Sequence, residues 1–464
     1  MAKSIEESNE ICHNRSYYET AIRNEEFGHC NKCRKPKTDH DWCQSCCSEQ
    51  FKLFEWTSEN ESINDFVRRA QSKARNHWEV IEWIPYTRLI NVKYLTKGGF
   101  STINKAIWLD GYIICWNDSE NCWDRNRYKL EEEDYLDYRN EKNNIDLTLK
   151  EDEKVGFHVV LKSLNNINED SLNEWENYLE FLYSAINNYA NFVRVFGITQ
   201  DPVTKVYMVV LEEMKRGSLR DNLLIKKYNP NDKYHNLYEI ACSLSALSKS
   251  SMTHGDLHNG NLLLKDEFHI YISDFGQSRQ YNQSINSKDI YGIIPYMAPE
   301  VLRGKPYTKA SDIYSFGVIM WEFTSGVSAF HDIPHDFDLS LQICKGHRPE
   351  IIEGTEPDYV ELMKRCWDND PNKRPTAKEL SEIFDVWSAK YLMEMDYDKR
   401  KSVPVPTIIE NHPLSCYISR KIDHYAKLNE ILDQGELSSI IVIDEGKDNI
   451  ESREDSDELE DLKI

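Results

Sequence analysis

One change of rhythm constrains this chain more than any other feature. From about Ile84 to Leu211 apolar residues fall in short strand-like runs, whereas from about Leu219 to Lys390 they recur at helical spacing. Val92–Lys97 and Thr102–Leu109 flank Gly98-Gly99, and Asp110-Gly111 reads as a hairpin turn leading into Tyr112–Trp116. Strand character resumes at Phe157–Leu161 and again at Tyr207–Leu211. Between them Lys129–Lys154 is dense in acid (Glu131-Glu132-Glu133-Asp134, Glu151-Asp152-Glu153), the composition of a solvated insertion spanning about 117–154. A strand-rich unit is thus followed by a helical one.

At 464 residues the chain exceeds one ordinary core, so two or three units are expected. Residues 1–27 form a polar N-terminus, 28–50 a Cys-rich module and 51–87 a helical linker. In that linker Ile63, Phe66, Val67 and Ala70 follow i, i+3, i+4, i+7 spacing and predict a helix after Ser62 whose stripe packs on a neighbour. Beyond about Lys390, Val403-Pro404-Val405-Pro406 reads as a linker. Ile418, Ile422, Tyr425, Leu428 and Leu432 then make one stripe of a helix, and the end from Asp444 is an acidic, disordered tail. With 79 acidic against 56 basic residues the net charge is −23, which repels phosphate backbones and anionic lipid and argues against nucleic-acid or membrane partners. Neither a spanning apolar run nor a signal-peptide core is present, so a soluble intracellular protein is expected, cytoplasmic with the nucleus left open.

Three polar positions in the helical half stand at informative intervals. In Asp256-Leu257-His258-Asn259-Gly260-Asn261 a carboxylate able to orient and accept a hydroxyl proton precedes by five residues an amide oxygen suited to a hard cation such as Mg²⁺. Thirteen residues after Asn261, the strand-like Ile270-Tyr271-Ile272 leads to Asp274-Phe275-Gly276, a second carboxylate for metal. Ala298-Pro299-Glu300 begins 24 residues after Asp274. Isolated Asp and Asn residues are ordinarily turn formers, but this spacing beside the apolar run Leu262–Leu264 argues for more.

On these motifs, from about residue 88 to 390, the chain resembles a eukaryotic protein kinase. The resemblance implies an α+β, two-lobed kinase fold: a small β-rich lobe, a larger helical lobe, and ATP with Mg²⁺ between them. It implies that Asp256 orients a protein hydroxyl and that Asn261 and Asp274 hold metal. Lys162, in Val159-Val160-Leu161-Lys162, would pair the α/β-phosphates, with Glu174 as its partner and Glu176 and Glu180 as alternatives. Thr96-Lys97-Gly98-Gly99-Phe100-Ser101 stands where the family carries G-x-G-x-x-G and keeps only the central glycine, with Gly99 beside it. Leu95, Ile103 and the hinge residues Glu212 and Met214 complete the ATP site, with Leu211 at the gatekeeper position. Glu300 and Arg374 would form a buried ion pair, and Asp312 would brace the catalytic-loop backbone. Gly-Ser-Leu at 217–219 and the Cys366-Trp367 to Arg374-Pro375 ending resemble the tyrosine-kinase-like branch. Trp83-Ile84-Pro85-Tyr86 and the preceding Cys pair resemble a kinase family expanded in some fungi, a likeness that implies no substrate. Ser/Thr transfer is favoured on branch resemblance alone, since His258 and Ile293 stand where Ser/Thr kinases carry Lys and Thr. Gly255 replaces the Arg that in switchable kinases answers to loop phosphorylation. The rival reading is a pseudokinase or scaffold using the fold and the Cys module for partner binding.

Of twelve cysteines, six lie in the first 47 residues. Cys30-x2-Cys33-x9-Cys43-x2-Cys46 supplies four thiolates in two knuckles, which suits a tetrahedral structural Zn²⁺ and leaves no open position for catalysis. Cys47, His29 and His40 are alternative ligands, and an unmetallated Cys-rich segment is the competing reading. Near the end, Ile440-Ile441-Val442-Ile443 beside Asp444-Glu445 resembles a motif that binds the modifier SUMO by strand addition; a chance aliphatic run fits equally.

Overall fold

Alternation along Val155–Ser163 sets the small lobe. Phe157, Val159 and Leu161 are buried and share one face, as a period of two requires. They pack with Ile84, Trp108, Phe196, Met208 and Val210, which leaves Lys162 on the opposite face, toward the helical lobe. In this computed structural model the described residues are 27–97, 101–131, 134, 154–164, 179, 181, 190–274, 279–280, 290–402 and 410–434. Val155–Ser163 is central in a mixed sheet, with Thr102–Trp108 and then Leu89–Lys97 on one side. Tyr207–Glu212, Val195–Gln200 and the short Glu82–Trp83 lie on the other. Glu82–Trp83 runs parallel to Val195–Gln200 as the edge, so the Trp83–Tyr86 motif completes the sheet. Its close approach requires Gly197: a Cβ there would lie 2.0 Å from the Glu82 carbonyl oxygen.

The turn at Asp110-Gly111 does not close the expected hairpin. Asp110 is held by Arg88 at 2.6 Å, and Tyr112–Asn117 pairs instead with Cys122–Asn126, so the stretch 117–154 opens with a hairpin strand. The helix anticipated after Ser62 spans Glu61–Lys73, capped by the Asn60 side chain; Ile63, Phe66, Val67 and Ala70 enter the largest core cluster. The helical lobe is built around Lys309–Ser325, apolar on nearly all sides, begun by a Thr308–Ser311 capping box and ended at Gly326 in the left-handed region. Asp232–Lys249 and Ala377–Lys390 pack beside it, through Tyr234, Tyr359, Phe384 and Trp387.

Both ends of the described chain are attached. Trp42, Cys47 and Phe51 of the Cys module pack with Ala74, Val80 and Ile113, and Trp123 of the hairpin stacks on Phe51 with centroids 4.5 Å apart. At the other end the expected helix over 418–432 is shorter: it covers 425–434, while Arg420–Ile422 is a strand paired antiparallel with Ile290–Gly292. The stripe misled because Ile418 is exposed and Ile422 is buried by the sheet pairing and the helical lobe. No helix among the described residues is long and apolar enough to cross a membrane.

Candidate active site

Asp256 ends a loop that the fold fixes from three directions. Asp312, buried in the central helix, accepts from the backbone N–H of His254 (2.8 Å) and of Gly255 (3.0 Å). Burial raises the Asp312 pKa to about 6, and the two N–H donors work against that rise. Gly255 has φ +76°, a left-handed conformation that glycine adopts without strain. His254 is fully buried, and desolvation lowers its pKa to about 4, so it is neutral. Its Nδ1 accepts from Asp256 N–H, so Nε2 carries the proton given to the Ser273 carbonyl at 3.0 Å. One histidine thereby ties the Asp256 loop to the strand end that carries Asp274. Asn261 donates from its side-chain amide to the Asp256 carbonyl (2.9 Å), and its own carbonyl accepts from Ser273 N–H (2.9 Å).

Lys162 Nζ lies 2.5 Å from Asp274 Oδ1, joining the two lobes across the cleft. Asp274 has φ +59°, a strained position for a residue with a Cβ, of the kind stored at functional sites at a cost on the order of 1–3 kcal/mol. The Asp256 side chain is almost wholly buried. Desolvation raises its pKa to about 7; a nearby Ser419 hydroxyl lowers it, the Asp274 charge raises it, and Lys162 and Arg220 lower it. Beside it His258 is buried and its pKa is pushed well down by desolvation and by Arg220, so it supplies no positive charge where a lysine would.

The structure places Ile103 as the cross-strand partner of Lys162, with Leu95 exposed on the neighbouring strand. Glu212 ends its strand with its carboxylate 3.0 Å from Lys265, and Met214 is buried just beyond. Gly98, Gly99, Glu174, Glu176, Glu180 and Ile440–Ile443 lie outside the described residues. Arg374 and Glu300 form a buried bidentate pair, Nη1–Oε1 2.7 Å and Nη2–Oε2 2.8 Å.

Two features of the site were not seen in the sequence. Glu322, fully buried on the central helix, accepts from Tyr296 Oη (2.6 Å), Ala329 N–H (2.9 Å) and Asn259 Nδ2 (3.1 Å), while Arg220 Nε donates to Asn259 Oδ1 (2.9 Å). A Glu within a helix carries no sequence sign of burial. The second feature is the segment around Ser419, which reaches Asp256 from 163 residues downstream.

A family model for protein tyrosine and serine/threonine kinases matches residues 144–384, just over half the chain. The chain belongs to the protein kinase family. A serine/threonine/tyrosine-protein kinase of Arabidopsis thaliana is 30% identical over 202 residues, 42% of this chain and 51% of the relative. A receptor-interacting serine/threonine-protein kinase of Mus musculus is 29% identical over 262 residues, 52% of this chain and 33% of the relative. The chain thus spans about half and about a third of these relatives' lengths.

The Cys module forms a second candidate centre in the kinase chain. The sulfur atoms of Cys30, Cys33, Cys43 and Cys46 all lie within 4.8 Å of one another. Cys33–Cys43 and Cys30–Cys46 stand at 3.5 and 3.7 Å, near the ~3.8 Å edge of a tetrahedron with Zn–S bonds of ~2.3 Å. The set is compatible with structural zinc. Cys47 lies outside it, in the aromatic cluster, with its pKa raised by burial to about 12, and His40 packs on Phe27.

Proposed function

We propose that this chain is an ATP-dependent protein kinase of the tyrosine-kinase-like branch that transfers the γ-phosphoryl group to protein hydroxyls, Ser/Thr in preference to Tyr. The observation that carries the reading is the Lys162–Asp274 pair, 2.5 Å across the cleft, beside a buried Asp256 whose loop is fixed by Asp312. In this reading Lys162 holds phosphate oxygens, together with Gly98 and Gly99, and Leu95, Ile103, Glu212 and Met214 surround the adenine. Asp274 and Asn261 hold Mg²⁺; the Asn261 amide nitrogen is committed to the Asp256 carbonyl, so its oxygen is the atom offered to a cation. When bound, Mg²⁺ neutralises charge on the phosphates. Asp256, poised near pH 7 by burial, accepts the hydroxyl proton. Cys30, Cys33, Cys43 and Cys46 hold a structural Zn²⁺ that fixes the small module on the hairpin. The name of the Mus musculus relative supports Ser/Thr transfer, while that of the Arabidopsis thaliana relative includes tyrosine as well.

The test is transfer of label from γ-labelled ATP to casein by wild type and by Asp274→Ala. Loss of on the order of a thousandfold is expected, since a charge placed for the transition state contributes ~3–4 kcal/mol. Equal activity in the two proteins would favour the pseudokinase.

A further inference from the structure

The segment 410–434 runs along the strand that leads into Ala298-Pro299-Glu300 and past Arg220, which bonds the Asp256 loop. Arg420–Ile422 adds a strand to Ile290–Gly292, the chain leading into Ala298-Pro299-Glu300, with Gly292 opposite Arg420, Tyr291 opposite Lys421 and Ile290 opposite Ile422. Main-chain pairing of this kind is a general way to bind an extended peptide, with side chains setting specificity. Upstream, His335 Nδ1 accepts from Cys416 N–H at 3.0 Å, His335 N–H donates to the Leu414 carbonyl at 3.1 Å, and His412 N–H donates to the His331 carbonyl at 2.7 Å. The Arg420 guanidinium donates to the His335 carbonyl. Downstream, Ile422 and Leu428 are buried in the main core, and Arg303 bonds Asn429 at 2.9 Å. The segment is therefore fastened on both sides of Ser419.

Two hydroxyls in it approach the site, and they differ. Tyr417 Oη donates to the Ala329 carbonyl at 2.9 Å, and its ring lies under the Arg220 guanidinium at 5.3 Å, so it is an anchor. Ser419 Oγ is buried and bracketed: Tyr417, two residues before it, lies under Arg220, which bonds Asn259 of the Asp256 loop, and Arg420, just after it, pairs with Gly292, so that its hydroxyl interacts with the Asp256 carboxylate. A buried hydroxyl needs a polar partner, and the one this hydroxyl meets is the carboxylate to which the kinase reading gives the proton-accepting role.

We propose that Ser419 is a phosphoacceptor that this chain presents to its own Asp256, the segment 410–434 acting as a substrate held in cis. The proposal rests on the kinase reading above. In the step, Ser419 Oγ bonds to the γ-phosphorus of ATP as the bond from that phosphorus to the β-bridging oxygen breaks. ADP leaves with that electron pair, and the hydroxyl proton passes to Asp256 and then to water. Until then, the segment and an external substrate compete for the same groove.

The full chain is incubated with Mg²⁺ and γ-labelled ATP, and phosphate is mapped by peptide mass spectrometry, with casein as an external acceptor in a parallel reaction. Phosphate on Ser419 approaching one per chain is expected, at an initial rate per chain unchanged over a hundredfold dilution. Ser419→Ala should lose that label, Ser419→Thr should regain it as phosphothreonine, and Tyr417→Phe should leave it on Ser419. Transfer to casein without phosphate on Ser419 overturns the inference and leaves the kinase reading standing. Labelling that slows in proportion to dilution overturns presentation in cis. No transfer to either acceptor overturns both readings.

Discussion

Residues 27–51 and residues 410–434 are both short additions to a kinase domain, and aromatic rings fasten each of them. Their attachments nevertheless differ in kind. The N-terminal module is closed by its own four thiols and rests on the hairpin through Trp42, Phe51 and Trp123, away from Lys162 and Asp274. The C-terminal segment has no such closure. It is held by main-chain pairing with Ile290–Gly292 and by side chains aimed at loops of the helical lobe, and it sets Ser419 against Asp256. Self-closure is the device of a unit that adds stability, whereas borrowed hydrogen bonds are the device of a unit that can be exchanged for another peptide. The first should report on folding when disturbed, the second on catalysis.

The largest effect should come from the first. Cys33→Ser with Cys43→Ser removes two of four thiols from a centre whose metal would supply ~10 kcal/mol or more of folding energy. Metal analysis should fall from about one zinc per chain to none, and limited proteolysis should open sites within 27–51. Transfer to casein should stay within about threefold, because Lys162, Asp256 and Asp274 keep their surroundings. Zinc absent from wild type purified under reducing conditions without chelator would remove the basis for self-closure. A hundredfold loss of transfer on losing zinc would show that the two ends are not separable.

Loosening the second should move a pH profile. Tyr417→Ala with Arg420→Ala deletes the bonds to the Ala329 and His335 carbonyls while leaving the core residues Ile422 and Leu428. Burial is the largest influence on Asp256 and raises its pKa to about 7; the Ser419 hydroxyl opposes it but is the lesser influence. Admitting water should therefore lower that pKa on balance, and the acid limb of kcat/KM on an external protein should move down by about one pH unit, up to about tenfold in rate near pH 6. The sign for stability is the reverse of an ion-paired carboxylate. Asp256 binds its proton more tightly folded than unfolded, so its burial weakens the fold as pH rises from the ordinary carboxylate range through about 7. The double variant should lose less stability over that window. An acid limb that stays in place would mean that the segment does not shield Asp256.

These two regions also mark what sequence can reveal. The four thiols were legible because metal ligation needs particular atoms at short, fixed intervals, and the Asp256, Asn261 and Asp274 spacing was legible because one loop and one short hairpin hold them. The stripe Ile63, Phe66, Val67 and Ala70 gave its helix because period 3.6 persists over about two turns. The segment at 410–434 was misread as more helix than it is, since residues four apart share a face in a strand as in a helix. Its partner strand lies about 130 residues away, and no local pattern encodes that pairing. Glu322 and Tyr296 were missed for a related reason: their 2.6 Å bond exists only once the central helix packs under the loop at 294–298.

The smallest expected effect concerns control of the loop between these regions. In kinases that switch by loop phosphorylation, an Arg before the catalytic Asp awaits the phosphate and orders the loop through charge-assisted bonds. Here that position is Gly255, at φ +76° with its N–H given to Asp312, so it has no charge to offer. Of the candidate hydroxyls Ser278, Tyr281, Ser284, Ser287 and Tyr291, only Tyr291 falls among the described residues, and it sits in the strand that pairs with the C-terminal segment. A single exposed charge pair contributes ~1 kcal/mol or less, so loop phosphate should change the transfer rate by less than about tenfold. The comparison is phosphatase-treated against untreated protein, both carrying Ser419→Ala so that phosphate on the C-terminal segment does not enter it. A hundredfold loss on dephosphorylation, restored by phosphate on the loop alone, would show that another basic residue answers the phosphate. Control would then lie in the loop, and the C-terminal segment would be one occupant of the groove without being its regulator.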